Sequence, residues 1–153
     1  MKNSATIKML QELGAFILAG GKGPEAVKQM AEMIRTDRAF RWVGVYKLAR
    51  KELKIVAGTG DEPPCYPRFP VTQGLCGAAV ESRVTIVVDD VRKDARYLPT
   101  FHTTRSEIVV PIISKSERVV GVIAAESEKV KAFKNEDREV LERVASLIGR
   151  AFK

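Results

Sequence analysis

The chain has 153 residues, 26 basic and 19 acidic side chains, a formal charge of +7 and 45% hydrophobic residues, the profile of one folded domain with a sizeable core. No apolar run is long enough to cross a bilayer, the N-terminus lacks the basic–apolar–small order of a secretory signal, and two cysteines are too few for a secreted disulfide framework, so a cytoplasmic protein is expected. One histidine, His102, and two cysteines at a spacing unlike zinc patterns leave no metal expected, and basic residues scattered rather than interleaved with aromatics read as a solvated surface, with no nucleic-acid partner.

Taken in chain order, residues 5–19 repeat apolar side chains at a helical period through Ile7, Leu10, Ile17 and Leu18, and Gly20-Gly21 ends the run. Pro24 opens a second helix over 24–36, with Val27, Met30, Ala31 and Ile34 on one face. Residues 40–49 and 53–59 are rich in strand formers on either side of a short polar turn. Four prolines within 60–70 mark a long loop or an edge segment, followed by a short helix over 74–82 and a strand over 84–88. A polar connection fills 89–105, and two strands over 107–114 and 118–127 flank the turn Lys115-Ser116-Glu117. Asn135 is placed to cap a last helix striped by Val140, Val144, Leu147, Ile148 and Ala151, with Glu136 and Asp137 in its first turn. Hairpins between terminal helices give an α+β domain, one sheet with helices on one face. The two long loops are then free to cover the other face and enclose a pocket.

Several stretches carry a family resemblance: GLCG at 74–77, DDVRKDARY at 89–97, SEIVVPI at 106–112, GVI at 121–123, and Phe133 with Asp137 before the last helix. With the order of elements, these resemble a GAF domain across nearly the whole chain. The resemblance implies a single domain over 1–153 built on a six-stranded antiparallel sheet, with N- and C-terminal helices on one face and a loop-covered small-molecule pocket on the other. Within that family, WVGVY at 42–46, GLCG and RSEIV at 105–109 are most similar to the free methionine-(R)-sulfoxide reductases. Those enzymes reduce the free amino-acid sulfoxide with cysteines on the two covering loops.

Trp42 and Tyr46 share one side of a strand and could wall the pocket or belong to the core. Glu107 and Glu126 interrupt apolar strands, where a buried carboxylate needs a partner. The resemblance makes both of them pocket acids and adds Ser106, within RSEIV, as a ligand-binding candidate. Cys76, near a helix N-terminus, is either a reactive thiolate or a small buried side chain.

The chemistry departs from the family at three positions. Its nucleophilic cysteine falls on Thr100, one of its acids on Ala124, and its first cysteine on Tyr66, one residue from Cys65. A hydroxyl is a far weaker nucleophile than a thiol and forms no disulfide. Three readings follow: a stand-alone binding module with a signalling role; a divergent reductase using Cys76 and Cys65 as catalytic residues with a thioredoxin-type reductant; or a redox sensor switched by a Cys65–Cys76 disulfide. No cofactor is expected. Cyclic-nucleotide and bilin binding fit less well, because Arg138 follows Asp137 and neither cysteine precedes a histidine. Leu13, Phe16, Leu141 and Phe152 lie off the main helical stripes and are candidates either for a homodimer contact or for a wider core-facing stripe.

Overall fold

In the computed structural model, which describes residues 4–21 and 23–150, both expected hairpins join one sheet. The strands are β1 (Trp42–Ala49), β2 (Glu52–Gly58), β3 (Arg68–Pro70), β4 (Ile86–Val88), β5 (Ser106–Ile113) and β6 (Val119–Ser127). They run in the order β3-β2-β1-β6-β5-β4, each neighbour antiparallel. β3 comes from the proline-rich segment and sits at the sheet edge, the position proline tolerates because the missing N–H faces away from the ladder. Four helices complete the fold: α1 (Ser4–Leu18), α2 (Gly23–Arg38), α3 (Gly74–Ser82) and α4 (Asn135–Gly149).

Alternation along the strands divides the interior into two layers. On one face, Val43, Val45, Ile108, Val110, Ile112, Ile123 and Ala125 meet the helices α2 and α4. α1 packs on α2 and α4 through Met9, Leu10 and Leu13. Its buried side is therefore turned from the expected one, leaving Ile7 and Leu18 exposed at 43% and 89%. Thr6 is buried on this side because its hydroxyl donates to Asp37 Oδ2 at 2.9 Å. Leu13 and Leu141 are fully buried and Phe16 packs at the margin, so these candidate dimer residues widen the core-facing stripe; Phe152 and Ala151 lie outside the described residues.

α4 begins differently from the expected asparagine cap. Lys134 is the N-cap residue, and its N–H donates to Asp137 Oδ2 at 2.8 Å. Asp137 Oδ1 also accepts from Arg38 Nη2 at 2.8 Å, tying the start of α4 to the end of α2. Capping and a charge-assisted bond thus fall on one carboxylate, which outcompetes the neighbouring asparagine. The opposite face of the sheet is covered by α3 and by the segments 59–73 and 89–105, the latter interrupted by one 3-10 turn at Val91–Lys93.

Candidate functional site

One row of the covered face carries unusual chemistry. Trp42 on β1 pairs with Glu126 on β6, Glu126 with Glu107 on β5, and Glu107 with Val88 on β4. The indole lies flat along the sheet over Gly44 and Gly58; a Cβ at either glycine would overlap its six-membered ring. Phe101, from the second loop, meets the indole edge-on at 5.3 Å, and Arg41 stacks on that phenyl ring with Cζ 5.0 Å from its centroid. Tyr46 stands further along β1 and packs edge-on against Phe69 of β3 at 5.6 Å.

The sequence Gly-Leu-Cys-Gly sets the start of α3. Gly74 adopts φ of +76°, a left-handed turn that an L side chain resists. At Gly77 a Cβ would collide with the Val71 carbonyl, so this glycine lets the helix seat on the preceding loop. The turn delivers Cys76, in the first turn of α3, to a small cavity of about 10 Å³ lined by Tyr46, Tyr66, Leu98, Thr100 and Glu107 as well. That volume holds about one water. The roof is pinned where the Cys65 N–H donates to the Thr100 carbonyl at 2.8 Å, joining the two loops.

Electrostatics in this layer are governed by burial. Glu107 and Glu126 are 3% and 0% exposed and directly opposed across β5 and β6. Burial and the facing Glu126 push the Glu107 carboxyl well above the usual range. Burial also raises Glu126, though hydrogen bonds from its surroundings pull against the shift. Two carboxyls facing each other in a dry site do not both ionise. Thr104 Oγ1 donates to Glu126 Oε1 at 2.7 Å, whereas Glu126 Oε2 and Trp42 Nε1 are buried without a hydrogen-bond partner. Each such orphan costs about 1–3 kcal/mol, which a matching ligand group recovers.

Of the two readings of Cys76, a reactive thiolate or a small buried side chain, its burial fits the second. Burial, then the carboxyls of Glu107 and Glu126, push its thiol well above the ordinary range, so it is a neutral thiol. Desolvation and two facing acids outweigh the partial positive charge of the helix end. Tyr46 is likewise held as a neutral phenol, chiefly by burial.

The sheet thus brings together Trp42, Tyr46, Cys76, Glu107 and Glu126, with Thr100 beside them. Ser106 stands apart. Its parity on β5 is opposite to that of Glu107, and its hydroxyl donates to the Lys129 carbonyl at 2.6 Å and accepts from Ala132 N–H at 3.4 Å. It fastens the segment after β6 instead of facing the pocket. Cys65 is exposed, with Sγ 4.0 Å from His102 Nε2, and both thiols are free. Among the described residues no cluster of three metal-ligating side chains occurs, and no helix is long and apolar enough to cross a membrane.

Phe101, Thr104 and Arg41 are contributors that sequence reading missed. Phe101 carried a usable signal, a large apolar residue inside a polar connection; Thr104 and Arg41 carried none. Arg41 belongs to the site's rim, reaching Glu62 at 3.5 Å and Glu128 at 3.4 Å.

Known proteins share this fold. Residues 24–153 match the family described as GAF domain. The free methionine-R-sulfoxide reductase of Saccharomyces cerevisiae is 32% identical over 113 residues, covering 73% of this chain and 63% of the yeast protein, so the chain spans less than two thirds of that relative. GAF domain-containing protein A of Dictyostelium discoideum is 30% identical over 109 residues, 71% of this chain and 68% of that protein. The structure of free methionine-R-sulfoxide reductase from Neisseria meningitidis in complex with its substrate superposes with a TM-score of 0.87 at 26% identity, covering 99% of this chain and 92% of that one. With the family match running over most of its length and the sheet, helices and covered face in the corresponding arrangement, the chain belongs to the GAF domain family.

Proposed function

We propose that the chain, as one GAF domain over 1–153, binds a small polar molecule of the methionine-sulfoxide class beneath its two loops and holds it without reducing it, as a sensor. The observation that carries this reading is the pair of buried, unpartnered atoms in one sheet row: the Trp42 indole N–H, a donor, and Glu126 Oε2, an acceptor. A ligand with a sulfoxide or carboxylate oxygen satisfies the first, and its ammonium group satisfies the second. Trp42, Tyr46 and Phe101 supply the apolar surface for a thioether chain. Ala124, where the resemblance to the reductases places an acid, lies on the same face two residues before Glu126 and leaves that face with less negative charge. The ligand enters only when the loops part, because the cavity beneath them is far smaller than an amino acid.

Two features oppose turnover. Thr100, which the family resemblance places at the reductase nucleophile position, lines the cavity, and Cys76, the thiol left in the pocket, is protonated. A neutral thiol attacks sulfur poorly. A second reading rests on Cys76 lining the same cavity as Glu107. In it, Cys76 gives up its proton and attacks the sulfoxide, which is reduced by two electrons to the thioether while the thiol becomes a sulfenic acid. Cys65 then condenses with the sulfenic acid, releasing water, and a thioredoxin-type reductant reopens the disulfide.

Calorimetric titration with L-methionine-(R)-sulfoxide, L-methionine and acetate tests the binding reading. Saturable binding of the sulfoxide, weakened about tenfold by Glu126→Gln through loss of one charge-assisted bond, is the expected outcome. Absence of binding to a folded protein overturns it.

A further inference from the structure

A second cleft lies away from the pocket, at the far end of the sheet, with a volume of about 1020 Å³. Four separate segments build it: the β1–β2 turn, the end of α3, the β5–β6 turn and the end of α4. Its floor is apolar, from Leu48, Val80, Val119 and Val120. Its rim carries Arg50, Arg83, Lys115, Arg118 and Arg150, opposed by two carboxylates, Glu81 and Glu117.

Several arginines elsewhere reach carboxylates, among them Arg38 with Asp137 at 2.8 Å, Arg92 with Asp90 at 2.9 Å and Arg96 with Asp94 at 2.7 Å. None of the five rim cations forms an ion pair with a described residue. Arg83 Nη2 donates to the Glu117 carbonyl at 2.8 Å, which fixes the end of α3 to the β5–β6 turn and leaves the guanidinium charge unneutralised. Basic side chains at the ends of α3 and α4 complement the helix dipoles, but Arg50, Lys115 and Arg118 come from hairpin turns, where no such reason applies.

We infer that this cleft binds a small organic polyphosphate, of the size of a nucleoside triphosphate. Guanidinium groups pair with phosphate oxygens through two parallel N–H bonds, and converging unpaired cations lose their mutual repulsion when a polyanion enters. The volume exceeds what an inorganic anion fills, and the apolar floor takes a ring that phosphate alone does not offer. The site is independent of the carboxylate row and does not rest on the function proposed for it.

Isothermal titration of the full chain with ATP, pyrophosphate and adenosine at low ionic strength tests the inference. ATP is expected to bind saturably, at least tenfold more tightly than pyrophosphate, with adenosine weaker than both. The double variant Arg50→Gln, Arg118→Gln weakens ATP at least tenfold, while Arg92→Gln with Arg96→Gln leaves it within twofold; circular dichroism and melting confirm that both variants fold. No ATP binding, pyrophosphate binding as tightly as ATP, equal loss in both double variants, or loss on Trp42→Ala instead would each overturn it.

Discussion

The two faces of one sheet follow opposite rules. On the helical face the inward strand positions are apolar apart from Ser106 near the start of β5, and the polar groups there are paired, as Ser106 with the Lys129 carbonyl, Arg38 with Asp137 and Thr6 with Asp37. On the covered face the same six strands carry two acids side by side, an indole N–H without a partner and a neutral thiol. Burying those groups costs free energy, so the face that stabilises the protein and the face proposed to serve a ligand are separated by the thickness of a single sheet. Strand alternation makes that separation possible, since neighbouring residues such as Glu107 and Ile108 enter different layers.

Substitutions on the two faces sharpen the contrast. The largest effect is expected on the helical side: Leu141→Ala, at a fully buried position, loses about 2–5 kcal/mol, read as a lower midpoint in urea, with sulfoxide affinity unchanged under conditions where the variant is folded. Gly44→Ala, on the covered face, forces the Trp42 ring from its seat; it costs about 1–3 kcal/mol and is expected to remove ligand binding as well. Ser106→Ala gives up the bonds to Lys129 and Ala132 for about 1–2 kcal/mol while calorimetry shows the same affinity as the parent chain; a loss of affinity there would return Ser106 to the site.

A smaller and pH-dependent effect comes from the carboxyl pair. Both groups titrate higher in the folded chain than their ordinary 4.5, so between that value and the folded values the folded state binds more protons than the unfolded one. Their contribution to stability is therefore complete below the ordinary carboxylate range and is lost as pH rises through the folded values. Urea midpoints measured from pH 4 to pH 8 are expected to fall less steeply in Glu107→Gln than in the parent chain. Least visible to stability is the difference between the thiols: iodoacetamide is expected to label exposed Cys65 in the folded protein and Cys76 only on unfolding. Rapid labelling of Cys76 in the native chain would show that the loops open readily.

Much of the fold was legible because its signals are local. The α2 stripe Val27, Met30, Ala31 and Ile34 and the strand pair ending at Ser127 follow from periodicity alone, and all four α2 residues are buried. α1 was misphased since its apolar residues surround the helix and only packing on α2 and α4 decides which side is covered. In the site, Glu107 and Glu126 stood out as acids within apolar strands, whereas Trp42 and Tyr46 were marked by the family resemblance and stayed open between pocket wall and core. What the sequence could not supply was cross-strand register and loop placement. The register makes Glu107 and Glu126 neighbours, while the loops bring Phe101 and Thr104 onto the row and bury Cys76 beside two acids. Ser106 shows the same limit from the other side: one residue from Glu107, it faces the opposite layer.

The central claim is that this pocket binds without turnover because Thr100 replaces the attacking thiol and Cys76 stays protonated. Its most direct test is reduction of free L-methionine-(R)-sulfoxide with a thioredoxin-type reductant, run on the parent chain, on Thr100→Cys and on Cys76→Ser. The account expects no turnover by the parent chain and measurable turnover once Thr100→Cys supplies a thiol at the nucleophile position. Turnover by the parent chain that disappears in Cys76→Ser would contradict it and make the protein a reductase that has moved its nucleophile.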